Sequence, residues 1–370
     1  MQDFSRRNFF QLTGAGALIG AAGGFRLNAQ QQYPAPVAAN PVFPYTSRSP
    51  VSLVKGDNRR KNVLDALVAV DGEIRPAMAR KKYVLIKVNN VSITNQLAAT
   101  HVDAIRGIMD YVAPRFKGPV VIAEASSRDT LEGFENYKYA QVIPEYKKSN
   151  IKLVDLNREQ KFEIFPIVDR NIRPVPVRLG ARLLDPDAFV ISAAMLKTHN
   201  AVVATGSLKN MVLGAALHNL PTEKEIWSDK RLFHALALPN TVGKTENHHA
   251  MNYNIAITAV HMKPNWGVAV IDGFEGMEGN GPTSGDPVVM HVALASPDFL
   301  AVDRVSLETM GIPGHAVGYM QFAGQLGLGQ YDMAKIDIRG EKPEAVKKIF
   351  KLSPTANFQL NWLDDMIKPA

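Results

Sequence analysis

The chain has 370 residues, a hydrophobic content of 46% and a formal charge of +7, enough apolar material for a sizeable core in one large or two moderate domains. It contains no cysteine, which excludes disulfides, thiolate metal ligands, thiol nucleophiles and a cysteine-held iron–sulfur cluster. The basic residues are spread along the chain, apart from short clusters at Arg59 to Lys61 and Arg80 to Lys82, and no DNA- or RNA-recognition motif accompanies them. Nucleic acid is therefore not an expected partner.

In chain order, Ser5, Arg6, Arg7, Asn8, Phe9 and Phe10 open the sequence with an S-R-R-x-F-F pattern. A weakly apolar run from Leu12 to Phe25 follows, too short for an ordinary spanning helix, and then an imperfect A-x-A-like site at Leu27-Asn28-Ala29. Residues 1–29 thus read as a twin-arginine signal, predicting export of a folded chain by the twin-arginine machinery to the periplasm or another extracytoplasmic site. Retention as an uncleaved anchor is the alternative. Without this leader the charge falls to about +5. Residues 30–50 hold three consecutive glutamines and Pro34, Pro36, Pro41, Pro44 and Pro50, the composition of an extended tether. The folded body is expected over 51–370, in one piece or two subdomains, with no further stretch suited to crossing a membrane.

Within the body, apolar runs at Tyr83 to Val88, Val120 to Glu124, Ile151 to Asp155, Phe189 to Ala193, Gly267 to Asp272 and Lys335 to Arg339 read as strands. They alternate with helical patterns. Thr100 is expected to cap one helix, with Asp103 three residues on and Val102, Ile105, Ile108, Met109 and Val112 on its buried face; Asp298 to Met310 reads as another. The order predicts an α/β fold with a mainly parallel or mixed sheet covered by helices. Ligands in such folds sit beyond the carboxyl ends of the strands.

Three strand ends carry polar residues. The first runs into Lys87, Asn89 and Asn90, suited to a carboxylate or phosphate, or simply to a snorkelling lysine and two turn residues. The second ends at Glu124 ahead of Ser126, Ser127, Arg128, Asp129 and Thr130; it lacks a Walker lysine and a nucleophile elbow, so a helix cap by Ser127 or Asp129 is the favoured role. The third is the densest: Lys197, Thr198, His199 and Asn200, then Thr205, Ser207, Lys209 and Asn210. Two lysines this close can neutralise an anion or lower each other's pKa, and a histidine can move a proton or bind a metal. Capping and pairing with acids is the bland alternative. Further on, Asp272, Glu275 and Glu278 lie in a glycine-rich stretch ending at Gly281-Pro282, read as a turn-rich loop whose carboxylates pair with those lysines, bind a cation or act as a base, or equally as a glycine-shaped loop with solvated acids. His248 and His249 are adjacent and point apart on any regular element, while His101, His261, His291 and His315 are isolated.

These blocks together, in this order from about Val84 to Gly311, resemble the bacterial and archaeal family known as domain of unknown function 362: Ile86 to Asn89, Thr100-His101, Ala123-Glu124, Lys197-Thr198-His199, Ser207 to Asn210, and Asp272-Gly273 through Gly281-Pro282. Members of that family often carry ferredoxin-type segments, for which this chain has no cysteines, and Val88 stands where proline is common. A fainter likeness, from the strand through His199 to Lys209, is to the cofactor-binding segment of nickel-pincer lactate racemases. That likeness implies that His199 helps to ligate or serve nickel and that Lys209 holds a nicotinic-acid-derived cofactor.

The leading expectation is an exported enzyme acting on a small anionic molecule, with His199, Lys209 and Glu278 in catalytic roles. Lys87, Asn89, Glu124, Lys197, Thr198, Ser207, Asn210 and Asp272 are the expected ligand contacts. The alternatives are a non-catalytic binding protein for an organic acid or phosphate and an assembly factor carrying a metal or cofactor.

Overall fold

The computed structural model describes residues 41–169, 171–219, 228–234 and 248–360. Residues 1–29, read above as a twin-arginine leader, and residues 30–40 of the expected tether lie outside the described residues, as do the side chains of His248 and His249. The described strands are β1 (Ser49–Lys55), β2 (Tyr83–Lys87), β3 (Val120–Glu124), β4 (Ile151–Asp155), β5 (Phe162–Val168), β6 (Pro174–Gly180), β7 (Ala188–His199), β8 (Val203–Thr205), β9 (Trp266–Glu278), β10 (Asp286–Ser296) and β11 (Ile336–Gly340). The helices of five or more residues are α1 (Arg59–Val68), α2 (Asp71–Met78), α3 (Val102–Arg115), α4 (Thr130–Asn136), α5 (Ser207–Ala215), α6 (Asp229–Phe233), α7 (His248–Met262), α8 (Phe299–Met310) and α9 (Gly318–Gln325).

Nine strands make one mixed, mostly parallel sheet in the order β11-β1-β10-β9-β7-β2-β3-β4, with β8 folded back on β7. The five strands from β9 to β4 are all parallel; β10 runs against both of its neighbours. β5 and β6 form a separate antiparallel pair. The fold is α/β. Because β2 leads outward to β3 and β4 while β7 leads the other way to β9, the chain reverses its winding between β2 and β7, and such a reversal opens a crevice at the strands' carboxyl ends.

Alternation along β2 sends Val84 and Ile86 into the large apolar core shared with α1, α2 and α3, and leaves Lys87 on the opposite face under α5. All twelve residues of β7 are buried, as expected of a central strand covered on both faces. Removing Phe189, Val190 and Ile191 from water contributes roughly 1.5–3 kcal/mol each.

Two sequence expectations change here. The α3 cap is His101, whose Nδ1 accepts from the Asp103 amide at 3.1 Å; Thr100 instead bonds the Asn89 amide and the Ala193 carbonyl, both at 2.8 Å, tying β2 to β7. The glycine-rich stretch is not a loop over most of its length, because Asp272 to Glu278 pairs with β10 as a hairpin arm, with one register shift between Val289 and Val292. Gly273 serves packing there: a Cβ would lie 2.7 Å from Leu196 and Val292. The turn is confined to 279–285, with Gly279 at φ +78°. Of the two caps expected at Ser127 or Asp129, Asp129 is the one observed, and Asp298, read as the first residue of a helix, caps α8; each side chain accepts two backbone amides of its helix.

Candidate functional site

The carboxyl ends of β2, β3 and β7, closed over by α5 and α6, enclose a cavity of about 120 Å³. Its walls include Asn89, Asn90, Glu124, Ser126, Lys197, His199, Thr205, Lys209, Asn210, Lys230 and His234.

Glu124 lines the cavity and is paired with Lys87, which lies behind it. The ammonium, fully buried, lies 2.6 Å from Glu124 Oε1 and donates to the Val88 carbonyl at 2.7 Å. Glu124 also accepts from the Asn90 and Ala125 amides at 2.9 and 2.8 Å. A buried ion pair persists only when its remaining hydrogen-bonding capacity is met in this way. Burial pulls the Lys87 pKa down, and Glu124 opposes that pull. The expectation that Lys87 binds ligand therefore changes: its charge is already neutralised, and it does not line the cavity. Gly214 of α5 is what lets the pair sit there, since a Cβ at that position would fall 2.2 Å from Lys87 Nζ.

An amide relay links this pair to β7. Asn210 accepts from Lys87 Nζ at 3.3 Å and Asn89 Nδ2 at 3.1 Å, and donates to Ser192 Oγ at 3.0 Å. Asn89 Oδ1 in turn accepts from Lys197, whose ammonium also reaches the Ala98 carbonyl at 3.4 Å. Asn90 differs. Neither amide atom of its side chain, 1% exposed, has a hydrogen-bond partner among the described residues.

Helix α5 brings in Lys209 and Asn210 on its first turn. Its N-terminus is held by Asp303 of α8, which accepts from the Ser207 and Leu208 amides at 2.6 and 2.9 Å; burial pushes that carboxyl up to about 7 against these bonds. Gly206 permits the approach, as a Cβ there would lie 2.4 Å from Asp303 Oδ1. Ser207 thus acts through its backbone at the helix start, and it does not line the cavity. At the other end of α5, Lys230 donates to the Leu213 and Ala216 carbonyls, both at 2.6 Å, a cation placed where the helix dipole is negative.

Lys209 has no hydrogen bond or ion pair among the described residues, although it is only 8% exposed. Burial pushes Lys197, Lys209 and Lys230 down to about 7 each, with neighbouring lysines adding to the effect. His199 accepts from the Ala201 amide at Nδ1, 2.9 Å, so its proton sits on Nε2. His234 places Nδ1 2.8 Å from the Lys230 carbonyl, which fixes the proton on Nδ1 and leaves Nε2 bare. Burial and then the Lys209 charge hold His199 well below the ordinary histidine range and take His234 down to about 4. Glu124 is the one carboxylate among the described lining residues, and Lys87 already engages it.

The remaining expected site residues lie elsewhere. Thr198 Oγ1 donates to the Gly279 carbonyl at 2.9 Å and closes β7 onto the turn. Asp272 faces α1, 3.2 Å from Arg59; burial raises its pKa and Arg59 opposes the shift. Glu278 accepts from the Lys351 amide at 2.9 Å and pairs with its ammonium at 3.3 Å. Neither carboxylate meets the lysines of β7 and α5, because β9 presents them away from the cavity. Sequence reasoning missed Asn90 as an unpaired amide, Lys230 as a wall residue and Asp303 as the α5 cap; no local signal marks them.

Residues 84–308, well over half of the chain, match the family model described as Domain of unknown function (DUF362). The chain belongs to this family. A thylakoid-associated protein of Synechocystis sp. is 29% identical over 152 residues, covering 41% of this chain and 41% of that protein. The chain therefore matches about two-fifths of that relative's length. A solved structure from Thermotoga maritima shares 12% identity over 74% of this chain and 60% of its own, with a TM-score of 0.43.

The nickel-pincer likeness fares differently. His199 and Lys209 do share one cavity, but among the described residues no group of three His, Asp or Glu side chains is placed to hold a metal. The cavity is also smaller than the roughly 300–1,000 Å³ of usual cofactor sites. The described residues do not fit that group.

Proposed function

We propose that this DUF362 protein is an exported enzyme whose cavity takes a small anion and moves protons on it through His199 and His234. The observation that carries the reading is Lys209, buried with no partner among the described residues, in a cavity with two further lysines whose one carboxylate among the described lining residues, Glu124, is engaged by a fourth. An uncompensated cation in a low-dielectric pocket is costly, and a bound anion removes that cost. Two histidines that present one N–H and one bare nitrogen add an acid–base pair that a passive binder does not need. The S-R-R-N-F-F segment supports the export part of the proposal.

The test is titration calorimetry of the full chain with acetate and with phosphate. Saturable binding, weakened at least tenfold in Lys209→Met, supports the reading. Binding that is absent, or unchanged in the variant, overturns it.

A further inference from the structure

We propose that Lys209 is a nucleophile that forms an imine with a short-chain 2-oxo acid, a deepening that rests on the anion-binding reading above. Each of the other lysines has acceptors. Lys87 has Glu124, Lys197 has Asn89 and the Ala98 carbonyl, and Lys230 has two carbonyls at the end of α5. Lys209 has none among the described residues, so in a cluster of like charges it is the group that gives up its proton. A neutral primary amine exposed only to a pocket is a nucleophile toward a carbonyl carbon.

The substrate class follows from the walls. An ammonium carries three donors, and Lys197 and Lys230 each use two, which leaves one N–H apiece for a carboxylate. The cavity of about 120 Å³ is small against the roughly 300–1,000 Å³ of usual ligand sites, which favours a small molecule. A carbonyl compound bearing an acid group and little else meets both conditions.

The proton path uses the two fixed tautomers. The Lys209 lone pair forms the C–N bond and drives the carbonyl π electrons onto oxygen, where the His199 Nε2–H stabilises the developing alkoxide. His234 Nε2 takes a proton from the attached nitrogen and delivers it to that oxygen. A second passage moves the remaining N–H proton to the hydroxyl; the C–O bond breaks, water leaves, and the nitrogen lone pair forms C=N. Amine and ketone yield imine and one water, with no oxidant or reductant consumed.

Incubating the full chain with pyruvate and borohydride, followed by peptide mass mapping, tests the step. The expected result is a reduced adduct on Lys209 more than tenfold above that on any other lysine, suppressed by excess acetate and slowed at least tenfold in His199→Gln. Lys209→Arg should give no adduct at that position. An absent or unselective adduct, with Lys209-dependent acetate binding intact, overturns the imine and leaves anion binding standing. Selective trapping without acetate binding would support the imine and overturn the anion-binding reading. Mapping on the unmodified chain decides the matter even if a variant fails to fold.

Discussion

At the scale of single residues, Lys209 determines how the site should respond to pH. Its pKa in the folded chain is about 7 against an ordinary 10.5, so between those values the unfolded chain binds more protons than the folded one. Stability then rises with pH through that window, and the penalty is complete below about 7. Lys209→Met should therefore raise stability at pH 7, on the order of a few kcal/mol, and should lessen the dependence between pH 7 and 10, to which Lys197 and Lys230 still contribute; thermal unfolding across that range checks it. Ligand binding carries the opposite requirement. An anion stabilises the ammonium, so its affinity should be level below about pH 7 and fall as pH rises above it, read by acetate titrations from pH 6 to 9. The density of polar residues from Lys197 to Asn210 made Lys197, His199, Lys209 and Asn210 legible in the sequence. Lys87 was legible as buried chemistry but not as a spent charge, because its partner Glu124 comes from another strand.

At the scale of elements, α5 is the part on which the cavity depends. It is capped by Asp303, closed at its far end by Lys230, and packed against the Lys87–Glu124 pair through Gly214. Gly214→Ala would drive a methyl into a locked ammonium, and overpacking of that kind costs roughly 1–3 kcal/mol. Chemical denaturation should show that loss together with weakened anion binding. Glu124→Gln strands Lys87 as an unpaired buried cation and should cost about 3–5 kcal/mol, with much of it recovered in the Lys87→Met, Glu124→Gln double variant; a double-mutant cycle measures the recovery. The hairpin of β9 and β10 explains why the acidic stretch misled. Glycines that signal a turn in sequence are used at Gly273 and Gly276 for close packing against Leu196, Val292 and Phe350, so Asp272 and Glu278 project from a strand to Arg59 and Lys351 instead of reaching the cavity.

At the scale of the whole molecule, the winding reversal between β2 and β7 gathers residues separated by more than a hundred positions into one crevice. No described helix is long and apolar enough to cross a membrane. The proposed export rests on Arg6 and Arg7, and replacing both by Lys should hold the protein in the cytoplasm; cell fractionation with an antibody to the chain reads the outcome, and an unchanged distribution would sink the proposal.

The sequence by itself determined the strands of the parallel block, the α/β class, the family and the lysine-rich segment that feeds the site, since these are local in origin: apolar runs, helical periodicity and clustered polar residues. Tertiary structure decided which charges remain free. Whether a lysine is neutralised by Glu124, held by helix carbonyls or left without a partner depends on side chains brought from β3, α5 and α6, and a buried charge takes its properties from those neighbours more than from its own position in the chain.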